Sequence, residues 1–411
     1  MKQKRKHIPA VFLYTAAVIF AFFPLVRVYP ETSAGVTIGF TGDIMVHNSQ
    51  LKRSWLGLDS RGNDLGYNFS PMFEWFSEYL KKPDLMIGNL ETTFGGPDSA
   101  WIKDEKYAFR EYQAYPTFTT PDELAEALAE AGFDLLGTAN NHCMDSNLEG
   151  AARTVEILKN AGLESTGTSA EGKPDPWEKE INGIKIKVFS WTASVNGLVS
   201  SRGMQTINVF NAKGKDGRLQ EMLKEIRDAK KDNPDILILL IHWGQEYFDE
   251  PDQYQKNLAE LALKNGADII IGSHPHVLQP FEIRDSNFIA WSMGNFISSQ
   301  RFSEGRRAWV DGSVMLELTI SKDKYNKVSV SGIDFIPLYV KWSSSAIRVL
   351  PINEGLKEDG TRKFNLTEYD RQRIKILNEH IADQITLYMK DTAAVKTDTG
   401  WSILNPDINF N

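Results

Sequence analysis

The sequence is poor in cysteine, poor in histidine and short of positive charge. A single cysteine, Cys143, excludes any disulfide within the chain and any multi-cysteine zinc or iron–sulfur site. Against 54 Asp and Glu stand only 46 Lys and Arg, a net charge of −8, which argues against a general nucleic-acid binder. No Gly-rich P-loop, no G-x-S-x-G elbow and no H-E-x-x-H pair occurs, so the serine-hydrolase and zincin readings lose their main support. From Ile8 to Val26 there is no charged residue at all. What is present is an ample supply of apolar residues, 42% of 411, enough for one large α/β domain or two ordinary ones. Only seven histidines occur, and their positions are the most informative feature.

The uncharged stretch follows a basic cluster, MKQKRKH, and is about long enough to cross a bilayer as a helix. The basic flank is expected to stay cytoplasmic, with everything after Arg27 outside. A signal-anchor is favoured over a cleaved signal peptide, for which Thr32, Ser33 and Ala34 offer a site; in either case the body is expected to be exported. No cysteine directly follows the segment, which excludes a lipoprotein anchor. The expected organisation is this segment (1–35), a body (36–340) and a helical extension (341–411) with one long amphipathic helix at about 366–390.

Within the body, VTIGF (36–40), LMIG (85–88), LLGT (135–138), IKVFSW (186–191), ILILLI (236–241) and IIIG (269–272) read as buried strands. Amphipathic helical patterns fall between them at 71–81, 122–131, 148–161, 216–231 and 254–265. That alternation predicts an α/β fold with largely parallel pairing. Past Phe288 the runs FIAWSMGNF, SVMLELTI and KVSVSGIDFIPLYV look like antiparallel strands completing a sheet. Residues 124–142 and 258–276 align without a gap, placing His142 on His276, through either an old duplication or convergence on a common helix–Gly–strand unit.

Polar residues collect where the apolar runs stop. Asp43 ends the first, with His47 in the next loop; Asn89 and Glu91 end the second; Asn140, Asn141 and His142 the third; His242, His274 and His276 the last two. Counted from Asp84, Asp134, Asp235 and Asp268, which open four of the strands, the polar residues come seven or eight positions later. In a parallel sheet such ends share one edge, where ligands bind. Imidazole nitrogen with carboxylate and amide oxygen, and no thiolate set, suits Mn, Zn or Fe, and this many donors makes one or two ions the expectation. Singly, each residue has a plain alternative: a hydrogen-bonded loop histidine, a turn asparagine, a helix-capping aspartate. Their joint placement is the argument for a site. For substrate, Tyr107, Phe109 and Arg110 in the insertion 101–118 and the cations Arg301, Arg306 and Arg307 are open between cleft and solvated surface.

The motifs TGDIMVH (41–47), GNLET (88–92), TANNHCMD (138–145), IHWGQEY (241–247), GSHPHVLQP (272–280) and SMGNF (292–296) resemble those of the CapA/PgsA family of poly-γ-glutamate capsule biosynthesis proteins, over about Val36 to Pro337. The resemblance implies a calcineurin-like metallophosphoesterase fold, a four-layer αββα sandwich. It makes Asp43 the first metal-binding aspartate and Glu91 a bridging acid. Asn141 and His142 become the catalytic pair, Asn141 also a ligand, and His242, His274 and His276 the remaining ligands. Asn295 matches a loop-fixing residue, and with Asn89, His47 and Arg110 completes the candidate substrate side. Departures from typical metallophosphoesterases are the absent D-x-H opening (His47 stands four residues after Asp43), Glu91 in place of Asp, and Asn140 in place of Gly. The implied setting is a membrane-anchored partner of a poly-γ-glutamate ligase complex, acting on an acidic polymer or phosphoester. A free-standing cell-surface hydrolase of phosphoesters or amides, and a binding module with an inert inherited site, are the other readings.

Overall fold

The computed structural model describes residues 32–97, 108–197, 203–210, 218–303, 305–389, 394–403 and 408–410. The expected N-terminal membrane segment and Tyr107 lie outside the described residues, among which no helix is long and apolar enough to cross a membrane.

Two sheets carry the body. Strands β1 (Thr32–Ile44), β2 (Leu85–Leu90) and β3 (Leu135–Gly137) pair in parallel in an 11-stranded sheet. In the second, six-stranded sheet, β4 (Ile184–Thr192), β5 (Ile236–His242) and β6 (Ile269–Ser273) are also parallel. Every residue of β5 is buried, the pattern of a central strand covered on both faces. Between strands run α1 (Glu123–Ala131), α2 (Asn147–Asn160), α3 (Arg218–Lys231) and α4 (Gln253–Lys264). A capping box starts α4: the Asp252 carboxylate accepts the Gln255 N–H, and the Gln255 side chain accepts the Asp252 N–H.

Alternation along each strand sorts side chains into layers. Ile38, Phe40 and Ile87 of the first sheet share a buried cluster with Val188, Ile238 and Ile271 of the second. Met86 and Leu136, on the opposite face, cluster with Leu124 and Leu128 of α1. Leu237, Leu239 and Ile270 cluster with Met222 and Ile226 of α3 and Leu258 of α4. Helices therefore cover the outer face of each sheet, and the two sheets share a core.

Register is fixed by the four aspartates that open strands. Asp84 accepts the N–H of Thr37 (2.8 Å), Asp134 that of Met86 (2.7 Å), Asp235 that of Lys185 (2.8 Å) and Asp268 that of Leu237 (2.8 Å). Each returns its own N–H to the carbonyl of the same residue. The clamp aligns neighbouring strands at their starts, so that they also finish together.

Three expectations change. The 71–81 pattern is broken into a 3-10 turn (Ser70–Met72) and a four-residue helix (Ser77–Leu80), with Pro71 at the turn's start. The run FIAWSMGNF is divided between two strands, the first of which, Asn287–Ala290, pairs antiparallel with Phe281–Arg284 on one side, as expected. On the other side Asn287–Ala290 pairs in parallel with β6, while β7 (Asn295–Ile297) crosses to pair in parallel with β1. Strands β8 (Gly312–Asp323) and β9 (Val328–Trp342) are antiparallel as expected. Residues 341–411, read as a helical extension, also supply strands: Ile347–Pro351 and Trp401–Ile403 both pair with β9. Their amphipathic helix, α5 (Glu368–Thr386), buries Ile374, Leu377 and Ile381 in the shared core.

Candidate metal centre

The carboxyl ends of the parallel strands deliver the polar residues. At the end of β1 the backbone of Gly42 lies so close to Gly294 that a Cβ on Gly42 would stand 1.8 Å from the Gly294 carbonyl oxygen. Only glycine fits, and the contact seats Asp43 in register with both Asn89 of β2 and Asn295 of β7. Glu91 follows β2, Asn140–His142 follow β3, His242 closes β5, and His274 and His276 follow β6. Both last histidines hold left-handed backbone, φ 98° and 60°, a conformation that costs side-chain-bearing residues of order 1 kcal/mol and clusters at functional sites.

Asp43 is fully buried; its Oδ1 accepts from the Asn89 amide (2.8 Å), and its Oδ2 lies 3.1 Å from His276 Nδ1. That same nitrogen stands 3.1 Å from Asn295 Oδ1. His242 places Nε2 2.8 Å from Asn141 Oδ1 and Nδ1 3.0 Å from Ser273 Oγ. Glu91 is also fully buried, yet neither of its oxygens has a hydrogen-bond partner. Its neighbours are imidazoles: His242 Nε2 at 3.5 Å and His142 Nε2 at 3.9 Å from Oε1, and His276 Nδ1 at 3.9 Å from Oε2. His274 Nδ1 is a third buried polar atom without a partner.

Those orphaned atoms fit a metal. A buried carboxylate with no donor is expensive, and cations are what compensate it. Glu91, His242 and His274 bring ligand atoms within 4.8 Å of one another, and so do Asp43, Glu91 and His276. The two groups share Glu91. Burial, then the charge of Asp43, pushes the Glu91 carboxyl well above its usual range. Burial also drives His242 well below the ordinary imidazole value and His274 to about 4, with neighbouring histidines adding to the shift. Both rings are thus neutral at pH 7, the form that ligates.

Five of the six expected ligands meet in these groups; the sixth, Asn141, meets them through His242. His142 stands at their edge, and its Nδ1 lies 2.7 Å from Asp145 Oδ2. Asp145, buried, also accepts the Phe118 N–H and is pushed up by desolvation. Sequence reasoning missed this orienting carboxylate, although the His-x-x-Asp spacing inside TANNHCMD was its signal. Asn89 and Asn295 hold Asp43 and the His276 loop in place; Asn295 is fully buried and donates to Val310 O (3.0 Å) and Gln300 (3.1 Å). His47 is set apart: its Nδ1 accepts the Ser299 N–H, and Phe118 is edge-on both to it (5.1 Å) and to His142 (4.7 Å). Burial lowers His47 to about 3. Arg110 pairs with Asp64 (2.9 Å) and stacks on Trp55 (4.6 Å), with no metal-group residue among its partners.

Residues 37–300 match the model of the bacterial capsule synthesis protein family PGA_cap. The chain belongs to this family. The matched segment contains every residue of the two candidate ligand groups, from Asp43 to His276, and stops before Arg301. The PGA biosynthesis protein CapA of Bacillus subtilis (strain 168) is 27% identical over 91% of this chain and 95% of its own. The capsule biosynthesis protein CapA of Bacillus anthracis is 30% identical over 57% of this chain and 55% of its own, so the match spans about half of that relative. Among solved structures, a 5'-nucleotidase from Candida albicans gives 14% identity over 88% of this chain and 60% of its own at a TM-score of 0.35. A purple acid phosphatase from yellow lupin gives 10% over 79% and 55% at 0.31. Both scores are too low to argue a common fold.

Proposed function

We propose that this PGA_cap protein is an exported, membrane-anchored component of poly-γ-glutamate capsule synthesis or export, with a two-ion centre used in hydrolytic handling of its substrate. The layering of helices, two sheets and helices supports a metallophosphoesterase-like αββα body, and the likeness to the two CapA proteins supports the capsule setting. The observation that carries the metal centre is Glu91, a fully buried, unpartnered carboxylate common to two ligand groups. Asp43, Glu91 and His276 would hold one ion, and Glu91, His242 and His274 the other. When bound, such a pair activates water and polarises a phosphoryl or carbonyl oxygen.

The chain's own groups do the rest. Asn89 and Asn295 fix the Asp43 and His276 side chains. The Asp145 carboxylate orients the His142 ring so that Nε2 faces the Glu91 side, where its proton can reach a leaving group. This His142–Asp145 pair is the observation that favours the second reading, a free-standing metal-dependent hydrolase of phosphoesters or amides, since a binding module needs no oriented proton donor. Metal analysis of the purified full-length chain tests the centre. About one to two equivalents of Mn, Zn or Fe are expected, and replacing His274 and His276 with Ala removes most of it. A content near zero after reconstitution leaves the inert binding module instead. Turnover of a generic phosphodiester against γ-linked glutamate oligomers separates the two hydrolytic chemistries.

A further inference from the structure

Beyond the last matched residue, one cation stands beside the centre. Arg307 is exposed, closing a 3-10 turn (Gly305–Arg307); its guanidinium carbon lies 4.6 Å from the ring centroid of Tyr247, and Nη2 donates to the Tyr247 hydroxyl (3.2 Å). The same ring lies 5.9 Å from the His276 ring. Tyr247 itself is tightly placed. Its N–H donates to Pro275 O (2.8 Å) between the two histidines, its φ is 66°, and its hydroxyl also accepts from Gln300, the residue that fixes Asn295. One aromatic ring therefore meets both the guanidinium and a candidate ligand.

The other arginines of this region differ. Arg301 stacks on Trp342 (4.9 Å), and Arg373 makes two hydrogen bonds to Asp311 (2.6 and 3.0 Å). Among the described residues no carboxylate pairs with Arg307. Nor is it loosely placed, because α5 and the residues just past it brace the segments that follow Arg307 and Tyr247. Arg373 donates to Ala308 O, and His380 stacks on Trp309 at 3.5 Å. Beyond Tyr247, Gln384 donates to Asp249 O and Tyr388 to Glu250 (3.2 Å). A guanidinium without a carboxylate partner among the described residues, on the same tyrosine as a ligand of a centre that two divalent ions would make net positive, is suited to an oxyanion.

We propose that Arg307, positioned by Tyr247, recognises an anionic oxygen group of the substrate, a carboxylate or a phosphate, beyond the group held at the metals. This deepens the metal-centre reading and rests on it. The substrate class is then a polyanion: one charged group at the ions, a second on the arginine fork. Overall charge of −8 is no obstacle, since recognition is local.

The test uses the full-length chain, loaded with Mn and assayed for metal content first, then titrated calorimetrically with γ-linked tetraglutamate and, separately, inorganic phosphate. Arg307→Ala is expected to weaken at least one probe roughly tenfold, with metal content unchanged and a shallower salt dependence. Arg307→Lys recovers part of the loss, because the charge returns without the fork. Tyr247→Phe, which keeps the ring, loses less. A loss confined to tetraglutamate assigns a carboxylate, and a loss confined to phosphate assigns a phosphate. The proposal is overturned when Arg307→Ala binds both probes as the wild type does, or when the wild type binds neither. A wild type devoid of metal that still binds tetraglutamate through Arg307 sinks the metal centre and leaves the anion site standing.

Discussion

The two ends of the parallel strands carry the same side-chain chemistry and use it in opposite ways. At the starting ends, Asp84, Asp134, Asp235 and Asp268 each accept a neighbouring strand's N–H. Where such a carboxylate is deeply buried it has a cation as well, as Asp268 has Lys230 at 2.8 Å. At the finishing ends, Glu91 is fully buried with both oxygens unpartnered, and Asp43 beside it faces imidazoles and an amide rather than a fixed cation. A satisfied carboxylate holds a fold together. An unsatisfied one, buried with others of its charge, is waiting for an ion, and the energy that the strand starts invest in register is what keeps it there.

Breaking that contrast at its strongest point gives the largest effect. Glu91→Gln removes the carboxylate common to both ligand groups, so metal affinity is expected to fall more than about 100-fold by equilibrium dialysis. The metal-free variant should melt above the metal-free wild type, because the cost of burying an ionisable carboxyl beside Asp43 is gone; unchanged metal content with a lower Tm would make Glu91 structural. The complementary break is Asp268→Ala. It leaves Lys230 and the Leu237 N–H without their partner and is expected to lower stability by about 2–3 kcal/mol in urea titrations. Metal per folded chain should stay as in the wild type. If both variants lose metal equally, the two ends are not separable.

A smaller effect probes the edge of the centre. Asp145→Asn should retain metal and slow turnover roughly 10–100-fold, since it unfixes His142 rather than removing a ligand. An equal loss in KM and metal content would place Asp145 in the scaffold. The smallest effect lies in α5, away from both ends. Burial lowers His380 to about 4, so between pH 6.5 and 4 the unfolded chain binds a proton there that the native chain refuses. Stability from this ring is present above pH 6.5 and lost as pH falls towards 4, by about 1 kcal/mol after allowance for its partial exposure. His380→Phe, which keeps the stack on Trp309, should flatten that part of the Tm profile; an unchanged slope would move the acid sensitivity elsewhere.

Much of this was legible before folding. Continuous apolar runs located the parallel strands because a strand covered on both faces needs apolar residues at every position, as in β5. The seven- and eight-residue count from the opening aspartates worked because clamped strands of similar length finish at one edge. His47 and Asp145 show the limit. His47 is four residues from Asp43 in sequence, yet it joins neither ligand group, and its ring meets Phe118, from a distant loop, which also meets His142. Asp145 lies inside a recognised motif, but only a folded turn brings its carboxylate onto the His142 ring. The run through SMGNF misled because one short apolar stretch serves two sheets, and nothing along the chain marks the crossing.

The sequence by itself determined which donors exist and that they terminate strands, because side-chain periodicity and strand length act along the chain. Tertiary structure alone decided which of those donors share an ion. Asp43 and His276 are 233 residues apart and come from different sheets, and Glu91 joins the two ligand groups only because register, the Gly42–Gly294 contact and the shared core press both sheet edges together. It also decided which charges stay unsatisfied. Partners are found through space, so the fates of Asp268, clamped to Lys230, and Arg307, set on Tyr247 with no carboxylate partner among the described residues, are written only in the fold.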